Sequence, residues 1–212
     1  MRRYLFFVNK PYSYSILRPL QADIRRRVGE AAGVGAGCTS APLGPDERHL
    51  KTVKEVMAFN ADATFVPGDW VPYFFPGIKV EVFHGMARNK RGHSSEDESD
   101  HYRIRGWFDL YCTHAPEVTH KFEQLAKQHG TFSGAETGWP KLYPLFNPDR
   151  RDPSTYDDFR SIISADKPII FYASTFSPSL TSAPDLIDTI RKLSLSSKWH
   201  WLVTLHPKMP MD

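Results

Sequence analysis

Cysteine is nearly absent from the chain: Cys38 and Cys112 are the two among 212 residues. That is too few for a disulfide framework, and neither belongs to the paired CxxC spacing of a structural zinc site, so the composition is that of a reduced, intracellular protein. One bridge is the most the count allows. Long apolar runs are lacking too. Only Tyr4 to Val8 are continuously apolar near the start, with no small-residue cleavage site after them, so no signal peptide is expected. Thr64 to Val82 is broken by Asp69, three prolines and Lys79 and cannot supply the roughly 20 apolar residues of a membrane-spanning helix. Any membrane contact is then peripheral. Charge of one sign is not in excess: 27 Lys+Arg against 24 Asp+Glu gives +3, which excludes the strong basic bias of a dedicated nucleic-acid binder. There is no HExxH, no GxSxG, no GK[ST] and no calcium loop of the DxDxxG type, so metalloprotease, α/β-hydrolase, P-loop and EF-hand chemistries are set aside and no metal is expected.

What the sequence does have is alternation. Tyr4 to Val8 reads as a fully buried strand, followed by a helix capped by Ser15, with Pro19 near its first turn and Ile16, Leu17, Leu20 and Ile24 on one face. Gly33 to Ser40 is glycine-rich and reads as a loop, because it follows a helix rather than a strand. A helix bearing Leu50, Val53, Val56 and Met57 leads to a strand at Ala63 to Val66. Ile78 to Phe83 is a further strand running straight into His84-Gly85, and Trp107 to Cys112 is another. Val118, Phe122, Leu125 and Ala126 stripe the next helix. Repeated units of this kind predict right-handed crossovers and a doubly wound, Rossmann-like parallel sheet covered on both faces.

At about 150 residues per domain the length corresponds to roughly one and a half domains. Residues 1–146 form the expected first domain, 147–166, rich in Asp, Arg, Pro and Ser, a linker, and 167–212 the start of a second. There, Pro168 to Tyr172 and Trp201 to Leu205 are strands around a helix marked by Leu186, Ile187, Ile190 and Leu193. One βαβ unit cannot bury a core of its own, so the second domain is expected to be cut short.

Ligands of open parallel sheets bind beyond the carboxyl ends of the strands. Two histidines hold that position: His84, with Gly85 free to turn sharply toward a ligand, and His206, with Pro207 ending its strand and Lys208 adding positive charge. Either imidazole can take a proton near neutral pH or bind a phosphate. Each can equally be a strand-end histidine bonded to a nearby carbonyl. His114 points toward the same edge; His93 and His101 bracket the charged excursion, and His49, His120 and His129, on or beside helices, read as surface groups. Arg88, Lys90 and Arg91 open a charged excursion that is either a solvated loop or a phosphate-steering one. Trp70, Tyr73, Phe74 and Phe75 read as core, or as an edge resting on lipid.

VFHG at 82–85, FDLYCTHAP at 108–116, SGAETGWPKLYPLF at 133–146, KPIIFYAST at 167–175 and LVTLHPK at 202–208 together resemble the CDP-glycerol glycerophosphotransferases, the teichoic-acid-type polymerases and primases. The resemblance implies a GT-B arrangement of two Rossmann-like domains, the donor held largely by the C-terminal one. It implies His84 as the base that deprotonates an acceptor hydroxyl and His206, with Lys208, Ser174 and Thr175, as contacts to the donor phosphates. Gly138 and Pro140 match a GxP turn, with Lys141 where an arginine is usual. Ser174-Thr175 stands for Pro-Thr, Tyr143 for an aspartate, and Lys90 is a displaced counterpart of a lysine behind HG. The implied partners are a CDP-alcohol or nucleotide-sugar donor and a hydroxyl acceptor, free or lipid-linked, with no cofactor; the implied place is the cytoplasm, either free or at the inner face of the membrane. A nucleotide-sugar glycosyltransferase, a UDP-GlcNAc 2-epimerase-like enzyme and a non-catalytic truncated binding module are the alternatives.

Overall fold

The computed structural model describes residues 1–27, 29–35, 44, 46–86, 100–150, 163, 166–177, 179–206 and 209. The chain divides into two compact units, Met1–Arg150 and Arg151–Asp212.

In the first unit the strands are β1 (Arg3–Val8), β2 (Glu30–Gly35), β3 (His49–Leu50), β4 (Ala63–Val66), β5 (Ile78–Glu81), β6 (Leu110–Thr113) and β7 (Ser133–Glu136). They form one seven-stranded sheet in the order β3-β2-β1-β4-β5-β6-β7, with every pair parallel. Helices cover both faces. Helix α1 (Tyr12–Arg26) lays Ile16 and Leu17 on the face formed by Phe6, Val8, Val80 and Val82. Helices α2 (Val53–Phe59) and α3 (Pro116–His129) lay Val56, Phe59, Val118 and Phe122 on the opposite face, against Leu5, Phe7, Val66 and Tyr111. The period-2 alternation of Leu5/Phe7 and Phe6/Val8 between the two cores is why β1 reads as an unbroken apolar run. The architecture is the α/β, Rossmann-like doubly wound sheet that the alternation predicts.

Several local expectations are corrected. Glu30–Gly35 is a strand, not a loop, through Gly33 and Val34, since it fills the slot between β1 and β3; Ala36 to Ser40 lie outside the described residues. Helix α1 begins at Tyr12, so Ser15 lies inside it and donates its hydroxyl to the Tyr12 carbonyl instead of capping. Pro19 is therefore mid-helix, where it lacks an N–H to donate. Leu50 belongs to β3 because Thr52 caps α2: its hydroxyl accepts from the Glu55 N–H while the Glu55 carboxylate accepts from the Thr52 N–H. In α2 it is Val56 and Phe59 that are buried, and Val53 and Met57 are exposed. The predicted strand Ile78–Phe83 stops at Glu81, although the Val82 N–H still pairs with the Val66 carbonyl. The predicted Trp107–Cys112 strand begins later, at Leu110.

A short helix, α4 (Tyr143–Phe146), follows β7. In the second unit β8 (Ile169–Ala173) pairs in parallel with β9 (His200–Thr204) across helix α5 (Ala183–Ser194), a single βαβ motif with Ala183 and Ile190 buried. Most of the expected linker lies outside the described residues. Among the described residues no helix is long and apolar enough to cross a membrane.

Candidate functional site

The strand order turns back on itself between β1 and β4: the chain first builds outward through β2 and β3, then returns to the other side of β1. At such a switch point the loops leaving the two strands diverge to opposite faces and open a crevice beyond their carboxyl ends. Asn9, Tyr12 and Ser13 follow β1; Pro67, Gly68 and Asp69 follow β4. The Ser13 hydroxyl donates to Asn9 Oδ1 at 3.3 Å. A Cβ on Gly68 would stand 2.4 Å from the Asn9 amide nitrogen, so a larger residue there would have to displace the Asn9 side chain.

His84 stands beside this crevice. Its Nδ1 lies 3.1 Å from the Pro67 carbonyl. A carbonyl only accepts, so Nδ1 carries a hydrogen, and in the neutral form of the ring the lone pair is then on Nε2. The carbonyl bond expected of a merely structural histidine is thus present, yet the side chain is exposed and its ring rests 5.6 Å from that of Tyr12. Burial, and then the negative charge of Asp69, raise the Tyr12 pKa and keep a phenol O–H at this edge. Asp69 pairs with Arg105 at 3.2 Å.

The turn that presents His84 differs from the expected one. Gly85 does not take a left-handed conformation; Phe83 does, at φ 57°. That conformation costs a non-glycine residue about 1–3 kcal/mol and persists only where its surroundings enforce it. The Phe83 ring is buried, stacked on His101 at 4.5 Å and 5.4 Å from Phe122, and its carbonyl accepts the Trp139 indole N–H at 3.1 Å. Trp139 follows β7 in the segment holding Gly138 and Pro140. Gly138 is left-handed, at φ 74°, and its N–H bonds the Thr113 carbonyl at 3.2 Å. Pro140 opens a 3₁₀ turn, and the Lys141 ammonium lies 5.4 Å above the Trp139 ring. The HG turn and the GxP turn, 56 positions apart, are therefore one structural feature. Between α1 and this segment lies a cavity of about 560 Å³ lined by Leu20, Phe65, Val82, Met86, His114, Trp139 and Tyr143, among others.

Two further groups escaped the sequence reading. Glu81, only 7% exposed, sits in β5 between Val80 and Val82. Burial, reinforced by Asp69 and opposed by Arg105, raises its pKa well above the usual carboxylate range. The signal for it was an acid flanked by Val80 and Val82 in a strand segment. His101, which the sequence places only at the end of the charged excursion, is packed among Phe83, Tyr102, Phe122 and His114. Burial, with the charges of His114 and His84, lowers its pKa to about 4. Cys112 is a buried free thiol whose pKa burial raises; Cys38 lies outside the described residues.

In the second unit Ser174, Thr175 and His206 gather at the carboxyl ends of β8 and β9. The Ser174 N–H bonds the Thr204 carbonyl at 3.1 Å, and the His206 carbonyl accepts from the Met209 N–H at 2.8 Å. The Ser174 hydroxyl reaches Met209 Sδ at 3.0 Å, and the His206 ring lies 4.5 Å from Phe176. Arg88, Lys90 and Lys208 lie outside the described residues. Among the described residues no group of His, Cys, Asp and Glu is arranged to hold a metal ion.

No family profile matches the sequence, and no curated protein matches it either. Solved structures do. The wall teichoic acid polymerase TagF aligns at TM-score 0.64 and 14% identity over 97% of this chain and 56% of its own. MnaA from S. aureus, in complex with UDP, aligns at 0.59 and 13% over 98% of this chain and 63% of its own. The UDP-GlcNAc 2-epimerase of Methanocaldococcus jannaschii aligns at 0.54 and 10% over 98% and 66%. At these identities the likeness is one of fold. It is a GT-B-like α/β fold, and the chain spans between 56% and 66% of the length of these structures.

Proposed function

We propose that the chain is the acceptor-side domain and the beginning of the donor-side domain of a GT-B-type transferase that moves a polyol phosphate from a CDP-alcohol to an acceptor hydroxyl in cell-surface polymer synthesis. The observation that carries this reading is the state of His84: an exposed imidazole at the switch-point edge whose Nδ1–H is spent on the Pro67 carbonyl, leaving Nε2 as the proton acceptor. The ordered motifs from VFHG to LVTLHPK, and a fold shared with a teichoic acid polymerase, support the choice of substrate class.

In this scheme Nε2 of His84 takes the hydroxyl proton as the acceptor oxygen attacks the β-phosphorus of CDP-glycerol or a similar donor. The bond from that phosphorus to the bridging oxygen breaks and CMP leaves. His206, with Ser174, Thr175 and Lys208, would contact the donor phosphates and offset the charge on the leaving group. Release of CMP from CDP-glycerol, measured on the intact protein with a polyol-phosphate acceptor, tests the assignment. His84→Ala should cost about 10²–10⁴-fold in kcat, and undiminished turnover refutes it.

A second reading is favoured by a different observation: two of the structures sharing this fold are a UDP complex and a UDP-GlcNAc 2-epimerase. It predicts consumption of UDP-GlcNAc and none of CDP-glycerol. Tight nucleotide binding with neither activity would mark a binding module.

A further inference from the structure

We propose that Trp139 is the positioning residue for His84: its indole N–H, by holding the Phe83 carbonyl, maintains the left-handed turn that fixes the imidazole beside the Pro67 carbonyl. This rests on reading His84 as the proton acceptor, but its structural half stands separately.

The peptide units around Phe83 are held from two directions. On the β4 side the Val82 N–H bonds the Val66 carbonyl at 2.9 Å and His84 Nδ1 bonds the Pro67 carbonyl at 3.1 Å. On the β7 side the Trp139 Nε1–H bonds the Phe83 carbonyl at 3.1 Å. Phe83 itself is at φ 57°, where its Cβ crowds the backbone and from which an unrestrained phenylalanine relaxes. The buried ring keeps the side chain in place, stacked on His101, but packing of the ring does not by itself choose the direction of the carbonyl. The indole does. It is a donor with no acceptor capacity, and it needs an oxygen at this point.

Trp139 is in turn fixed by its neighbours. Gly138 is left-handed with its N–H on the Thr113 carbonyl, Pro140 starts the following turn, and Lys141 lies over the ring face. An aromatic residue in this turn therefore does more than line a cavity. If its donor is lost, Phe83 can leave the left-handed region, carrying His84 away from Pro67, and the imidazole then exchanges its proton between both nitrogens.

The test uses two replacements of Trp139. Trp139→Phe removes the donor, and β-(3-benzothienyl)alanine at the same position keeps the shape of the indole while exchanging the N–H for sulfur. Long-range ¹H–¹⁵N spectra of His84 report the tautomer without reference to activity. The parent should be predominantly Nδ1–H, and both replacements should lower that fraction by about twofold or more. CMP release should fall about tenfold in kcat, with KM changed by less than about twofold, as expected when a base is misplaced and binding is not. A wild-type tautomer in the folded benzothienyl protein overturns the proposal, whatever the rate. A displaced tautomer combined with full activity of His84→Ala leaves Trp139 as the positioning residue and overturns the catalytic reading alone.

Discussion

Replacing His101 with phenylalanine should change the acid stability of the protein in a defined window. The ring is stacked on Phe83 at 4.5 Å, meets Tyr102 and Phe122 edge-on, and lies 5.8 Å from His114. Burial, and then the His114 and His84 charges, bring its pKa from 6.5 to about 4. A histidine with a lowered folded pKa binds its proton in the unfolded chain first, so the unfolded state gains on the folded one as pH falls from 6.5 to about 4. Above 6.5 the ring is neutral in both states and costs nothing. Across the window the full linkage is worth about 3 kcal/mol, and about 2 kcal/mol is expected once the water that still reaches the ring is allowed for. Phenylalanine preserves the aromatic contacts and does not titrate. Urea unfolding of parent and His101→Phe between pH 4 and 7.5 gives the difference between the two directly. That difference should be small at pH 7.5 and shift by about 2 kcal/mol in favour of the variant by pH 4. Parallel pH profiles would refute the argument, since they would mean that His101 is protonated as easily in the fold as out of it.

Glu81→Gln should act in the opposite sense. The carboxyl, raised chiefly by burial, contributes stability below its unfolded value that is lost as pH rises through the folded one, so urea unfolding should show the variant gaining on the parent at pH 7.5 by about 1.4 kcal/mol for each pH unit of elevation. Gly77→Ala should destabilise by about 2–3 kcal/mol in the same assay, because at φ 73° the new Cβ would meet the Ala61 and Asp62 backbone at 2.4 Å. Gly130→Ala, at φ 69° in the C-terminal turn of α3 with nothing within 4 Å of its added Cβ, should cost only about 1 kcal/mol.

Much of the sheet was legible because its strands are apolar runs buried on both sides. The segments Tyr4–Val8 and Ala63–Val66 announce themselves, as does the Val118/Phe122 stripe of α3; Trp201–Leu205 is legible as an apolar run too, although β9 of the second unit is part-buried to exposed. Strands β2 and β7 did not, for a shared reason. Their sequences, EAAGVG and SGAE, carry little apolar bulk, and they are strands because neighbouring strands offer them hydrogen bonds rather than because their residues prefer the conformation. In β7 the small residue suits the packing: a Cβ on Gly134 would stand 3.1 Å from Phe122 Cβ, closer than most such contacts. Gly33, which marked its stretch as a loop, is paired within β2, and Gly134 lets α3 pack close to β7.

The candidate site divides along the same line. A histidine at the end of an apolar strand is readable, since the strand's end and the crevice beyond it both follow from the pattern. The conformation that presents it is not. Glycine tolerates a left-handed turn best, so a sequence reading assigns the turn to Gly85. The fold places it on Phe83, whose ring has to remain in the core. Strain at Phe83 is then opposed by contacts from three separate stretches of chain: the Val66–Pro67 carbonyls, the Phe122 face of α3, and the indole of Trp139, 56 residues further on. No local pattern encodes such an arrangement, because each contributor lies in a different element and none is unusual in its own. The geometry of His84 is consequently a property of the assembled sheet, and it should be lost early when β7 is disturbed, before the strands at the other edge give way.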